Sequence, residues 1–405
     1  MAWVNIATRD TDDANSATDV NQLMENNRIL GGNGVSAPSN DIETLETEMN
    51  TAQADILLRP IDSDNMIING GMDINQRAAS YTAIASGTYL LDRWIYNRAG
   101  GGRHTATQDS SVVPNTATGF SLKLDVTTAD GTIAAGDLYV VGQYVEGYNF
   151  RKLNGKACIL SFNVRSPLDG IHCVSFISSG SDRSYIVEYT VDTADTWQLV
   201  QIPITFDGGG SGTWDYINGI GIRVFFTLAA GANFQDSADT WLSTQEYATS
   251  NQVNTLNNGA NNFYLANVKL QLAPYTIFNN RPFQQELSFC QRYYEHNYDY
   301  GVYPGAATQV GAQEFYTSGN NNSDHNIRLD PRYKVSKGST PTISTYDVAG
   351  NGGSGGAARV TMVAGNNKAA TIANVGFTGF RVNGANGAVS TERKIQVFYE
   401  ADSEL

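Results

Sequence analysis

Between residues 67 and 275 the chain repeats one pattern: a short run of alternating or continuous apolar residues, then a cluster of glycine, asparagine or aspartate. "SLKLDVTT", "ACILSFNVRS", "CVSFISS", "SYIVEYTV", "WQLVQIPITF", "GIGIRVFFTL" and "FYLANVKLQL" are all rich in β-branched and aromatic residues. A period of two residues makes each a strand with one face buried. Strands at this spacing with no helical segment between them predict two sheets sharing one core, a β-sandwich of the jelly-roll type.

Composition agrees. Only 16% of the 405 residues are charged, whereas Gly (40) and Tyr (21) are abundant. That suits a β protein with many turns. The net charge of −14 opposes attraction to a phosphate backbone, so nucleic acid is not an expected partner. No apolar run reaches the roughly 20 residues of a membrane span, and "MAWVNIATRDTDD" lacks the basic and apolar regions of a signal peptide. Synthesis in a cytoplasm without membrane insertion is expected. Cys158, Cys173 and Cys290 are odd in number and widely spaced, which predicts buried thiols.

Upstream of the strands, "DIETLETEMNTAQADILL" places Ile42, Leu45, Met49, Ala52 and Ile56 at spacings of 3, 4, 3 and 4, an a/d heptad seam. Asn40 and Glu43 can cap its start, and Pro60 ends it. So short a helix needs partners. The domains expected are a virion-attachment segment at 1–35, a short coiled-coil stalk at 36–66, the jelly roll at 67–281, a helical connector at 282–301 running through Leu287, Cys290, Gln291 and Tyr294, and a β-rich tip at 302–405.

Four segments carry a resemblance that periodicity does not supply: "NMIINGGMDINQRA", "YLLDRWIYN", "NNFYLANVKLQLAPYTIFNNRPFQQELSFCQRYYE" and "VFYEADSEL". Together they resemble the opening "NGxFDxWQR…ADRW" and the closing "ELxxCQRYY" of bacteriophage tail-fibre and receptor-binding proteins. Met72 and Asn75 depart from that pattern, standing where aromatic residues are usual. The resemblance implies a jelly roll similar to carbohydrate-binding modules, a homotrimer, attachment to other virion proteins through the N-terminus, and binding to a bacterial surface polysaccharide from the virion. In that frame Asn69-Gly70-Gly71 is expected to be a tight turn with glycine at positive φ. Trp94 is expected to be a core anchor, with Asp92 or Arg93 fixing the neighbouring loop.

No GxSxG, HExxH, Walker or CxxC motif occurs, and His104, His172, His296 and His325 do not sit at metal-ligand spacing. No catalytic residue, metal or cofactor is therefore expected. Forty acids leave a carboxylate pair open in principle, so a glycan-cleaving spike stays as the third reading, behind an adhesin and a purely structural virion fibre. Sugar binding needs an aromatic face and hydrogen-bonding rims. The loop "DGGGSGTWDYING" offers Trp214, Asp215, Tyr216 and Asn218, and "DTWLSTQEYATSNQ" offers Trp241 and Tyr247. Trp197 begins an alternating strand and is expected in the core. The run "RYYEHNYDYGVYPG" either forms a contact surface or fills a trimer axis, and Tyr303 and Tyr316 are the candidates for a receptor site in the C-terminal domain.

Overall fold

The computed structural model describes residues 65–405 apart from 115, 117, 208–209, 276, 319–326, 355–357, 363–365 and 385–391. The heptad seam from Ile42 to Ile56, the attachment segment and His325 lie outside the described residues.

Thirteen strands build the sandwich. In chain order they are β1 (Ser80–Tyr81), β2 (Thr88–Tyr89), β3 (Trp94–Ala99), β4 (Arg103–Asp109), β5 (Ser121–Thr128), β6 (Leu138–Glu146), β7 (Ala157–Arg165), β8 (Gly170–Ser178), β9 (Ser184–Val191), β10 (Gln198–Thr205), β11 (Ile220–Ala230), β12 (Trp241–Leu242) and β13 (Asn262–Leu272). The first sheet runs β1-β4-β5-β13-β7-β10 and the second β12-β9-β8-β11-β6-β3-β2. Every pairing is antiparallel, as expected where connections are tight turns instead of crossover helices. The inner faces meet through Leu122, Leu160, Phe162 and Leu265 of the first sheet and Trp94, Val141, Phe176 and Phe226 of the second. Each such side chain contributes roughly 1.5–3 kcal/mol of burial.

β10 shows how alternation sets the faces. Val200, Ile202 and Ile204 point inward, while Leu199, Gln201 and Pro203 point out. Trp197 shares the outward parity, which corrects its expected core position. It is half-buried on the outer face of the first sheet, edge-on to Tyr264 with ring centres 6.0 Å apart.

The outer face of the second sheet is closed differently. The connection from Gly231 to Asn261 folds back over it, and Tyr247 and Ala248 pack on Ile95, Val140, Cys173, Ile186 and Phe225 in a second apolar layer. Cys158, Cys173 and Cys290 are buried free thiols, as expected.

Helix α1 (Gly147–Phe150) follows β6, and α2 (Phe283–Gln291) follows β13. The helix expected to run through Tyr294 stops at Gln291. Tyr294 instead enters strand β14 (Tyr294–His296), because its backbone pairs with the last strand of the chain. The remaining strands are β15 (Gln313–Ser318), β16 (Ile327–Leu329), β17 (Thr342–Tyr346), β18 (Gly352–Ser354), β19 (Ala358–Met362), β20 (Asn366–Ala373), β21 (Arg381–Gly384) and β22 (Glu392–Asp402). β22 is the spine of this third sheet, flanked by β15 and β19 along its first half and by β14 and β17 along its second.

The sequence segments that resemble phage fibres converge where this sheet meets the sandwich. Asn69 has φ 57° and Met72 φ 60°, so the positive angles of the turn fall on non-glycine residues. Gly70 and Gly71 are required for space instead. A Cβ on Gly70 would lie 2.1 Å from the Val268 carbonyl oxygen, and one on Gly71 2.6 Å from Asn280 Oδ1. Trp94 is fully buried and its Nε1 donates to the Asn69 carbonyl at 3.0 Å. Asp92 accepts from the backbone and side chain of Gln76 at 2.7 and 2.6 Å. Arg93 passes the loop and reaches Glu404, while Arg77 bridges Asp402 at 2.8 Å and Glu404 at 2.9 Å. These motifs therefore encode a buried polar joint.

Candidate functional site

The loop between β10 and β11 is shaped from within. Asp215 Oδ1 accepts from the backbone of Ile217 at 2.7 Å and of Gly219 at 3.3 Å, closing a tight turn. Two backbone bonds then fasten the loop to α1: Gly147 N donates to Gly219 O at 2.9 Å and Tyr148 N to Ile217 O at 2.6 Å. This anchoring brings Trp214 and Tyr216 onto the buried ring of Phe150. Their ring centres lie 5.2 Å and 6.1 Å from it, at interplanar angles of 19° and 7°.

Trp241 arrives from β12 and meets Trp214 edge-on at 5.8 Å. Three aromatic side chains from two distant stretches thus share one half-buried cluster at an end of the sandwich, over Phe150 and Phe206. The polar rim comes from the β8–β9 loop. Arg183 pairs with Asp207 at 2.7 Å and lies 5.9 Å from the Trp241 ring centre. Asp182 accepts from Thr213 N at 2.9 Å, Thr213 Oγ1 at 2.8 Å and Ser178 Oγ at 2.8 Å. Those bonds, the Thr213 backbone first, hold its carboxyl down at about 2, so it is an anion and an acceptor at neutral pH. Asn154 Nδ2 donates to the Tyr216 hydroxyl at 2.9 Å.

Of the residues singled out in sequence, Trp214, Asp215, Tyr216 and Trp241 come together. Asn218 is exposed beside them and donates to Gly338 O at 3.2 Å. Tyr247 does not join: its ring is 7% exposed and packs on Phe225 and Phe234 beneath the folded-back connection. Tyr303 is half-buried in a separate loop, and Tyr316 lies in β15 opposite Lys394. The neighbouring Tyr293, Tyr294 and Tyr298 are buried within the chain itself. Phe150, Arg183 and Asp207 were not singled out. The signal available for Arg183 was a polar "SDRS" between two strong strands, which marks a loop but not its neighbours.

One carboxylate pair, Asp73 and Glu286, is tightly confined. Burial first, then Glu286, pushes Asp73 up to about 6, yet the cavity these two residues flank measures about 10 Å³, room for roughly one water. Glu286 is also held by Arg281 at 2.8 Å and by the backbone of Asn69. Among the described residues no group of three or more His, Cys, Asp or Glu side chains is placed to hold a metal ion.

No family model and no curated protein matches the chain. Solved structures that match include the enzymatically active domain of tailspike protein 4 of bacteriophage CBA120, at 11% identity over 53% of this chain and 22% of that one, with a TM-score of 0.28. A family 11 carbohydrate-binding module of a cellulosomal cellulase of Clostridium thermocellum matches at 13% identity over 49% of this chain and 99% of its own, TM-score 0.26. A CBM4 structure matches at 15% identity over 51% and 98%, TM-score 0.29.

Proposed function

We propose that this chain is a bacteriophage fibre protein whose sandwich binds a glycan on the host surface, and that several copies on one particle adsorb together. The observation that carries this reading is the cluster of Trp214, Tyr216 and Trp241, half-exposed and rimmed by the charged and amide groups of Asp182, Arg183, Asp207 and Asn154. Aromatic rings stack on the apolar face of a pyranose, and such a rim supplies donors and acceptors for its hydroxyls. Single sites of this open kind bind weakly. A trimeric fibre, and several fibres per virion, raise the effective concentration by orders of magnitude. The resemblance of the joint residues to phage fibre proteins supports the virion setting, in a tail fibre attached through its N-terminal segment. The reading is of binding without cleavage.

A second reading is favoured by one observation. Trp214 and Tyr216 each lay a ring face on Phe150, which is how a purely structural loop would pack. A head fibre or baseplate decoration would need nothing more. Binding of the purified chain to an array of bacterial surface polysaccharides separates the two. Retention on one glycan class, lost in Trp241→Ala, supports the adhesin. No retention on host polysaccharide, with normal adsorption of particles lacking the cluster, supports the scaffold.

A further inference from the structure

A larger cleft lies elsewhere, between α1 and α2. It measures about 380 Å³, at the lower end of the roughly 300–1,000 Å³ of small-molecule sites. Tyr148 of α1 and Phe289 of α2 both line it, 40% and 36% exposed, together with the buried Met66, Ile68 and Tyr293. Two aromatic side chains open on separate helices give the cleft an apolar surface of the kind small-molecule sites use. The half-exposed Asn149 adds an amide able both to donate and to accept.

Charge selects the occupant. Lys152, Arg281 and Arg292 line the cleft against one carboxylate, Glu146, in a chain whose net charge is −14. Glu146 is consumed: Arg292 donates to it at 2.6 and 3.0 Å and the Tyr293 hydroxyl at 2.6 Å. Arg281 is paired with Glu286. Lys152 is exposed, and among the described residues no carboxylate pairs with it; Arg151 beside it leans on the Tyr148 ring at 5.1 Å. An exposed ammonium without a carboxylate partner, lining a cleft with aromatic side chains in an otherwise acidic molecule, attracts an anion that also carries a flat apolar face.

We propose that this cleft binds a carboxylated pyranose, a hexuronic acid unit of an acidic polysaccharide. The ring face lies between Tyr148 and Phe289, a ring hydroxyl meets the Asn149 amide, and the carboxylate pairs with Lys152. The site is independent of the Trp214 cluster and asks for a different sugar chemistry.

The test is a titration of the full chain with methyl β-glucuronide and methyl β-glucoside, which differ only in the carboxylate at C6. At about 50 mM salt the glucuronide is expected to bind at least about tenfold more tightly, and the preference to shrink towards nothing at about 1 M, where screening acts within roughly 3 Å. Lys152→Met is expected to abolish the preference, and Lys152→Arg to retain it. Since Lys152 is exposed, neither variant threatens folding. The proposal is overturned by absence of glucuronide binding, by equal affinity for the two sugars, by a preference that survives Lys152→Met, or by glutarate binding as tightly as the glucuronide.

Discussion

The guanidinium of Arg93 lies 3.5 Å from the centre of the Tyr293 ring, and the two residues come from opposite edges of the sandwich sequence. Arg93 is 1% exposed, donates to Tyr144 O at 2.6 Å, and is neutralised by Glu404 from beyond the end of β22. The third sheet is thus attached to the first motif of the sandwich through a buried cation. Removing one partner of such a pair strands the other charge. Glu404→Ala is expected to cost about 3–5 kcal/mol, while the double variant Arg93→Met with Glu404→Leu recovers most of it. Urea denaturation of the three proteins measures this, and a loss below about 1 kcal/mol in the single variant would show the pair to be dispensable.

Gly70→Ala tests the steric reading of the opening turn. The Val268 carbonyl that a Cβ would strike also accepts from Asn65 Nδ2 at 3.0 Å, so it is not free to move. A drop in stability of about 1–3 kcal/mol is expected, as for other overpacked sites. Asn69→Gly is the contrast. It relieves the positive φ but deletes the side-chain bonds to Ile74 and Asp92, and is expected to destabilise for that different reason.

How much of this was legible depends on range. The strands were readable because period-two patterning is local, and the parity of Leu199 and Gln201, continued across the start of β10, also gives the outward face of Trp197. The positions of the glycines were visible but not their reason, since the obstacle to Gly70 is a carbonyl 198 residues away in sequence, at Val268. The same holds for α2. Its composition permits a helix through Tyr294, and only the partner strand β22 ends it earlier. At the candidate site the sequence supplied Trp214 and Trp241 separately, and no local signal joins them or adds Arg183.

Three histidines make the fold acid-sensitive. Burial lowers His104 to about 3, and His172 and His296 to about 4. Because the folded values lie below the unfolded one of about 6.5, their contribution is complete above that pH and is lost as pH falls through it towards 4. By pH 5 each costs about 2 kcal/mol if it stays neutral when folded. Asp92 acts in the opposite sense: burial raises it to about 6, so protonating it relieves the folded state as pH falls, offsetting part of the loss. The urea midpoint is expected to drop from pH 7 to pH 5, and His104→Gln to flatten that drop by roughly one proton's worth. An unchanged slope in the variant would remove His104 from the account.

The fibre reading also needs an oligomer. If the seam of Leu45 and Ile56 joins chains, Leu45→Asp with Ile56→Asp places charge in an apolar contact at several kcal/mol per chain. Light scattering is expected to show the mass falling from a trimer to a monomer of 43.8 kDa. An unaltered mass would place the assembly contact outside the seam.

The aromatic cluster gives the last test, and its geometry separates two roles that one substitution would confuse. Trp214 stacks on Phe150, so Trp214→Ala removes packing as well as any sugar contact, and a loss of about 1–2 kcal/mol in stability is expected even if no glycan binds there. Trp241 sits on the two-residue edge strand β12, tilted against Tyr185 at 5.1 Å, with Nε1 donating to Thr205 O at 3.3 Å. It also packs on Phe206 at 6.5 Å, so stability and adsorption are read together in both variants. Trp241→Ala is expected to lower stability by a similar amount, and to reduce adsorption to host cells by well over tenfold, because a per-site loss of about 0.5–1.5 kcal/mol compounds over the symmetric copies. Arg183→Ala should follow the same pattern, since it frees Asp207 and withdraws a cation from the Trp241 rim. Stability losses with unchanged adsorption in all three variants would make the cluster a structural plug and leave the sandwich end without a receptor role.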